Sequence, residues 1–443
     1  MGCRERGYSP VTVVAPYSSY RALLSVPSLG RVLLAMQVAR IGQSMVGVAI
    51  VLFTLTTYHS APLAGLVTFA SIFPGLIVSP IAGALLDRHG RIRLVVLDFL
   101  VALVSLALIG LLSLAYVLPA WLLVLIAAVS SLTGPLSNTG LRSLFPLLVP
   151  RRLWERVNAV DANGYIVATI VGPPLAAGSI ALWGGPAALI LTGCVFGLAA
   201  LILARTPDPP TETASTGRLL LDAWQGLAYA WRNPTIRGLG ASVSILNLSS
   251  GVVTIVVPLI ILERLRGGEA MVGAVFAISG VFGVIAAFVV GRFDSRGRER
   301  AMIALPMLAM GPVLGLLLPA NGLALESSVS SLALVAASMA LVGLLNGPMD
   351  IGIFTIRQRR TDPAWMGRAF AVSISLNYIG YPIGSLLIGW IAATSIDLAI
   401  AVGIVAPIVA GVLAQLTIPR SDQASELSQP VRIGGDVLRR RRQ

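Results

Sequence analysis

Long apolar runs alternate with short polar segments along almost the whole chain. A helix needs about 20 apolar residues to cross about 30 Å of hydrocarbon, and lipid offers no partners for unpaired backbone groups. The pattern therefore predicts an all-α membrane protein with twelve transmembrane helices. We expect these helices at residues 31–56, 62–86, 94–116, 120–144, 158–182, 186–204, 237–262, 270–291, 301–319, 329–356, 368–393 and 397–418.

Polar segments divide the twelve helices into two groups of six. We expect an N-terminal tail at 1–30, a first bundle at 31–204, a linker at 205–236, a second bundle at 237–418 and a basic tail at 419–443. The linker begins with a Pro- and Thr-rich stretch, which is typical of extended chain. Residues Leu219 to Trp231 then show apolar positions at helical spacing, which predicts an amphipathic helix on the membrane surface.

Composition supports the membrane assignment and sets the orientation. The chain is 56% hydrophobic and only 12% charged, with a mean hydropathy of +0.87. Its net charge of +13 comes from arginines in short loops, since the chain has no lysine, so the charge reports topology rather than nucleic-acid binding. Placing both termini in the cytoplasm leaves only Arg264 and Arg266 of the loop arginines outside. The positive-inside rule favours this arrangement in a bacterial inner membrane.

Cysteine and histidine are too sparse for metal or cofactor chemistry. The two cysteines, Cys3 and Cys194, and the two histidines, His59 and His89, form no cluster with ligand spacing, so we expect no metal and no cofactor. No nucleophile has a plausible base nearby, which argues against an enzyme. A membrane-embedded sensor is the alternative from another class, although no sizeable soluble output domain accompanies the helices.

A cationic hairpin follows the second predicted helix and recurs in the second half of the chain. The first copy is Gly83-x-x-x-Asp87-Arg88-x-Gly90-Arg91-x-Arg93, and the weaker second copy contains Asp294, Gly297 and Arg298. The segments that begin at Trp154 and Trp365 also correspond. Such internal similarity indicates a duplication, which predicts two six-helix units related by an axis along the membrane normal.

The first hairpin matches the signature loop of the major facilitator superfamily at every defining position, and the chain resembles that family over residues 20–418. The resemblance implies two pseudo-symmetric six-helix bundles that alternate access to a midplane site. It also implies a cytoplasmic latch that holds the outward-open state. The second copy departs from the signature, with Val290 in place of the first glycine and Ser295 in place of a basic residue.

The latch has a physical rationale in the first hairpin. Asp87 is placed to accept hydrogen bonds from backbone amides near Met366 to Ala369, where the dipole of helix 11 is positive. Arg88 and Arg91 can pair with carboxylates across the interface. Gly83 permits close helix packing, and Gly90 permits the tight turn. The alternative is that the arginines only fix topology.

Two further resemblances favour an exporter. Helix 5 carries Gly172-Pro173 and Gly178, which resemble a motif of exporting antiporters, although packing by small residues explains them nearly as well. The run Gln37-x-x-Arg40-Ile41-Gly42-Gln43 resembles the branch that contains enterobactin exporters and macrolide efflux pumps. That branch implies drug and proton antiport.

Charged residues within predicted helices are candidates for cargo binding or proton coupling. Arg40 lies about 13 Å along helix 1 from Arg31, where an ionisable group is costly unless it is paired or wetted. Asp161 and Asp350 are its candidate partners. Asp350 follows a helix-loosening Asn346-Gly347-Pro348 run and is the candidate proton carrier, because an apolar cavity favours the protonated carboxyl. Asp98 is expected to pair with loop arginines.

Polar side chains that interrupt apolar helices are candidate cargo contacts: Gln37, Gln43, Ser44, Asn138, Ser244, Asn247, Asn377, Tyr378 and Tyr381. Hydrogen bonding between helices is the competing explanation for each of them. Because charges are so few, we expect an apolar or amphipathic cargo, with any negative group facing Arg40. The sequence thus predicts a monomeric, proton-coupled exporter in the lipid bilayer, and a nutrient importer of the same fold is the alternative.

Overall fold

The computed structural model describes residues 22–23, 25–150, 153–208, 227–293, 295, 297–323, 328–361 and 366–420. Twelve of the described helices are long and apolar enough to cross a membrane, which confirms the predicted fold class. We number them α1 to α12 in chain order.

In the first half, α1 is Leu29–Tyr58, α2 comprises Ala61–Ala70 and Phe73–His89, and α3 is Arg91–Leu114. Helix α4 comprises Ala120–Ser131, Gly134–Ser143 and Phe145–Leu148, α5 is Trp154–Trp183, and α6 is Gly185–Ala204.

In the second half, α7 comprises Pro234–Leu248, the π-helical Val252–Val256, the α-helical Val257–Leu259 and the π-helical Ile260–Arg264. Helix α8 is Glu269–Val290, and α9 comprises Glu299–Gly315 and Pro319–Leu323. Helix α10 is Ser328–Arg359, α11 comprises Met366–Tyr378 and Gly380–Thr394, and α12 is Ile396–Thr417.

Prolines explain where the helices bend or break. In α4 the break falls between Ser131 and Gly134, and Pro135 then occupies the first turn of the next segment. A proline cannot donate a backbone hydrogen bond and clashes with the preceding turn, so it loosens the helix. The corresponding Pro348 lies inside the continuous α10. The two halves therefore share a flexible point, although only α4 is interrupted there.

Equivalent helix pairs pack in the two halves. A side chain at Gly193 of α6 would stand about 3.0 Å from the Leu103 carbonyl oxygen of α3. A side chain at Gly311 of α9 would stand 2.7 Å from the Ile404 carbonyl oxygen of α12. Glycine lets each pair approach at backbone distance, which is how helices associate in lipid.

The two halves meet at the end of the bundle opposite the start of α1 and the end of α12. Gly65, near the start of α2, faces the Ser385 carbonyl and Gly389 in the second segment of α11. Gly273, near the start of α8, faces Ala177 near the end of α5. Polar residues nearer the other end of the bundle, including Asn138 and Asp350, are accessible. The cleft between the halves therefore opens toward the end where α1 starts and α12 finishes.

The linker prediction falls largely outside the described residues, because 209–226 are not described. Residues 227–232 are helical. The predicted domain boundaries and the amphipathic character of the linker helix stay predictions.

Candidate functional site

An ion-pair triad joins three helices of the first half. The Arg40 guanidinium of α1 donates a hydrogen bond to the Asp161 main-chain carbonyl at 2.5 Å and a second one to its carboxylate. Arg142 of α4 approaches the other carboxylate oxygen with Nε at 3.4 Å. The side chains of Arg40 and Asp161 are 10% and 11% exposed, whereas that of Arg142 is 56% exposed. Of the two predicted partners of Arg40, the structure selects Asp161.

A cavity of about 300 Å³ lies beside this triad. Its lining includes Leu33, Met36, Gln37, Asn163 and Val167 together with the Arg40 and Asp161 side chains. Gln37 packs against Gly164, and among the described residues its Nε2 has no hydrogen-bond partner. An unpaired buried amide is costly unless water or a ligand reaches it, so the cavity is suited to a polar guest.

Three tyrosines connect the triad to the second half. The Arg40 guanidinium lies over the Tyr165 ring, with Cζ 5.7 Å from the ring centroid. Tyr165 of α5 lies close enough to Tyr378 and Tyr381 of α11 to interact with both electrostatically. The Tyr378 and Tyr381 ring centroids are 5.9 Å apart. Tyr165 and Tyr378 are 54% and 45% exposed. This arrangement gives the cleft an aromatic wall with a cation at one end.

Asp350 of α10 lies in a concave part of the molecule. Protein atoms surround its carboxyl group on most sides, yet the residue is accessible, which places it in a cleft rather than on the outer surface. Within the described part of the chain, no hydrogen bond or ion pair reaches this carboxylate. Asp350 is therefore an accessible acid in the membrane without the arginine partner that we considered for it.

Asn247 and Asn377 are occupied by contacts within the second half. The Asn247 amide donates to the Asn377 carbonyl at 2.8 Å. With its amide oriented to suit its neighbours, Asn377 donates to the Ser373 carbonyl at 3.0 Å and accepts from the Arg357 guanidinium at 2.6 Å. The competing explanation, hydrogen bonding between helices, therefore holds for both. Their contact with cargo stays a prediction.

Arg357 is a functional candidate that the sequence reading missed. The predicted tenth helix ended at residue 356, so Arg357 was assigned to the cytoplasmic loop. In the structure it lies inside α10, only 1% exposed, with the Phe354 ring 5.6 Å from its guanidinium carbon. The signal was available, since Ile353, Phe354 and Ile356 continue the apolar pattern up to it.

Asp98 has different partners from those expected. It is 5% exposed in α3, and its polar neighbours are the Ser137 and Thr133 hydroxyls of α4. The expected pairing with loop arginines is therefore wrong. Both hydroxyls lie near the break in α4, where backbone groups without helical hydrogen-bond partners favour polar neighbours.

The remaining candidates are spread over different surfaces. Gln43 and Asn138 are exposed, and Ser44 of α1 lies against Gly172 of α5, where a side chain would stand 2.5 Å from Ser44 Cβ. Pro173 lies inside α5 beside that contact. Gly178 has open space around it, so the close approach occurs at Gly172 and not at Gly178.

The first cationic hairpin is held by a residue of the linker region. Gly90 adopts φ +92°, and the Asp208 carboxylate accepts hydrogen bonds from the backbone N–H groups of Ile92 at 3.0 Å and Arg93 at 3.3 Å. The side chains of Gly83, Asp87 and residues 366–371 lie outside the described part, so the predicted latch contact does too. Arg88 and Arg93 are exposed, and Arg91 is half-buried.

The second hairpin is organised around an acid that the sequence reading did not single out. Glu299 of α9 is 4% exposed and forms an ion pair with Arg359 of α10. Gly297 has φ +72° with open space around it, and Arg298 is exposed. Asp294 lies outside the described residues.

Comparison with known proteins identifies the family. The sequence profile described as Major Facilitator Superfamily matches residues 32–373 and 239–441. The chain belongs to the major facilitator superfamily. It is 34% identical over 414 residues to an uncharacterised MFS-type transporter, y4rN, of Sinorhizobium fredii, with 90% of this chain and 97% of that protein covered. The superfamily consists of transporters, so the protein is a membrane transporter and not an enzyme.

More distant members of the superfamily include drug exporters. The chain is 26% identical to the multidrug efflux pump Tap of Mycolicibacterium fortuitum, covering 78% of this chain and 85% of that one. It is 22% identical to macrolide efflux protein A of Streptococcus pyogenes, covering 79% and 85%. The resemblance to the macrolide-efflux branch is thereby confirmed.

Solved structures show the same fold at low sequence identity. The nucleoside transporter NupG superposes with a TM-score of 0.67 at 13% identity, covering 87% of this chain and 98% of that one. An inward-facing bacterial homologue of ferroportin superposes with a TM-score of 0.64 at 18% identity, covering 87% and 97%.

Proposed function

We propose that this major facilitator exports small amphipathic compounds in exchange for protons, through alternating access of the cleft between its two halves. The observation that carries the proposal is Asp350, which is accessible and has no ion-pair partner among the described residues, in the same molecule as a triad that already pairs Arg40. A carboxyl group in a low-dielectric cleft can take up and release a proton as the cleft changes its access. The relation to Tap and macrolide efflux protein A supports export rather than import.

In this proposal each group has a separate task. Asp350 carries the proton, and the tyrosine wall with Asn138 and Gln37 receives the cargo. The Arg40–Asp161 pair holds α1 against α5. Separating the two helices would break this buried ion pair and leave each charge uncompensated, which is costly. Rocking of the two halves then exposes the cleft to either side. Both termini lie in the cytoplasm of a bacterial cell, so the described conformation is open to the cytoplasm.

The test is transport in inverted membrane vesicles, with susceptibility of deletion and overexpression strains used first to select a compound. An imposed pH gradient, acidic inside, should drive that compound into wild-type vesicles. Asp350→Asn should abolish the dependence on the gradient while binding persists. Glu263→Gln is the matched control, because Glu263 is an exposed acid at the end of α7. Gradient-driven uptake that survives Asp350→Asn would refute Asp350 as carrier, and flux in the opposite direction would favour a nutrient importer.

A further inference from the structure

Arg142 is the arginine of the triad whose side chain remains accessible. One carboxylate charge at Asp161 faces two guanidinium groups, so the triad carries a net positive charge. Arg40 uses its hydrogen bonds on Asp161 and is nearly enclosed. Arg142 approaches the carboxylate less closely, with Nε at 3.4 Å, and 56% of its side chain is accessible. The planar end of its guanidinium is thus available for a second anion.

The position of Arg142 directs it into the cleft. Asn138, one turn earlier on α4, is exposed on the same helix face. Asp161 lies one turn before Tyr165 on α5, and Tyr165 interacts electrostatically with Tyr378 of the other half. The face that Arg142 approaches is therefore the one that carries the aromatic wall. A single bound molecule can meet both groups.

We propose that the cargo is an aromatic compound with one anionic group, such as an aryl carboxylate, whose anion binds Arg142 and whose ring packs against Tyr165 and Tyr378. This inference rests on the proposed function in placing the cargo in the cleft. A guanidinium fork matches a carboxylate in two parallel hydrogen bonds, and aromatic rings prefer offset or edge contacts with one another. The positive triad repels a cation at the same place.

The proposed anion-binding residue is Arg142 and not Arg40, which the sequence favoured. Arg40 was expected to face a negative group of the cargo, but its guanidinium is taken up by Asp161. Arg142 is not among the cargo candidates that the sequence indicates, because it lies near the end of its helix. The structure turns that end toward Asp161 and leaves it accessible, so Arg142 is the specificity-determining residue of the proposal.

The experiment measures saturable binding of isotope-labelled 1-naphthoate to purified protein in nanodiscs of phosphatidylcholine. Unlabelled 1-naphthoate should compete, whereas 1-naphthylmethanol and 1-naphthylmethylammonium, which keep the ring, should compete far less. Arg142→Gln should weaken binding by about 10-fold or more, and Arg142→Lys by less, because a charge-assisted, two-pronged contact is lost. Arg205→Gln is the charge-matched control on an exposed arginine beyond α6 and should bind as wild type does.

Several results would overturn the proposal. Equal affinity in wild type and Arg142→Gln would remove Arg142 from the site, and preference for the ammonium analogue would reverse the sign of the cargo. Loss of naphthoate binding in nanodiscs that contain phosphatidylglycerol would assign Arg142 to an anionic lipid headgroup. If Arg142→Gln does not fold, the three analogues in the wild-type protein decide the sign.

The two proposals fail in distinguishable ways. Proton-driven efflux of neutral or cationic compounds without naphthoate binding would reject the anionic cargo and keep the exporter. Naphthoate binding without any proton-driven flux would keep the site at Arg142 and reject the coupling mechanism.

Discussion

The Asp208 carboxylate lies where a side chain on Gly90 would stand, and it caps the first turn of α3 through the backbone N–H groups of Ile92 and Arg93. A carboxylate at a helix N-terminus satisfies exposed amides and interacts favourably with the helix dipole. Two features therefore require glycine at position 90: its positive φ and the Asp208 carboxylate beside it. The start of the linker is tied to the loop between α2 and α3.

We expect Asp208→Ala to lower the free energy of unfolding by about 1 kcal/mol, the usual cost of a lost N-cap. Asp208→Asn should cost less, because an amide oxygen still accepts a hydrogen bond but carries no charge. Thermal unfolding of the detergent-purified protein measures both changes. Equal stability of Asp208→Ala and wild type would show that the cap contributes nothing.

Gly90→Ala should be more damaging than a change at the other positive-φ glycine of a hairpin, Gly297. The added methyl group at Gly90 meets the Asp208 carboxylate, whereas at Gly297 it meets open space. Gly90 also has the larger positive φ, +92° against +72°, so contact and backbone strain both act against Gly90→Ala. Thermal unfolding of the two variants measures the difference. Identical losses of stability would mean that the Asp208 carboxylate moves aside at no energetic cost.

Asp161→Asn should destabilise the protein by about 3–5 kcal/mol, since it leaves Arg40 enclosed without its counter-charge. The double variant Arg40→Gln with Asp161→Asn removes both charges and should recover most of that loss. Expression level and unfolding temperature of the wild type and the two variants provide the measurement. A double variant as unstable as the single one would indicate that the carboxylate matters through Arg142 instead.

Asp87→Asn should slow transport several-fold without preventing membrane insertion, because the predicted latch acts in one state of the cycle rather than in a helix span. Its charge-matched control is Glu263→Gln at the opposite end of the bundle. Flux in reconstituted vesicles measures the transport rate. The accessibility of a cysteine introduced into the cleft to a charged thiol reagent reports which state of the cycle the protein occupies. Unchanged flux would remove the latch, and loss of protein from the membrane would assign Asp87 to folding.

The helices were predictable because a membrane span leaves a periodic trace that is local in sequence. Contacts between distant segments left no such trace. Asp208 lies in a Pro-rich stretch typical of extended chain, and its partner is Ile92, 116 residues away. Asp98 was expected to pair with loop arginines because opposite charges attract, while the structure places it beside the hydroxyls of Thr133 and Ser137 at the broken helix α4.

The sequence predicted several residues of the candidate site but not which of them form ion pairs with one another. Arg40 was expected to face a cavity with Asp161 or Asp350 as its partner, and the structure joins it to Asp161. Arg142 escaped because hydropathy places a residue along a helix axis but does not determine which neighbour its long side chain reaches. Arg357 escaped for the related reason that an arginine at the end of an apolar run was read as its boundary.

The meeting of Gly65 with Gly389 gives the two ends of the cleft different physical characters. At this end backbone rests on backbone, and opening it separates close-packed, uncharged surfaces whose attraction is of short range. The opposite end is rich in arginine, and its closure depends on charges that dissolved salt screens over about 8 Å at physiological ionic strength. One gate therefore responds to bilayer packing and the other to ionic strength. Salt on the side of the termini should bias the transport cycle, whereas salt on the other side should leave it unchanged.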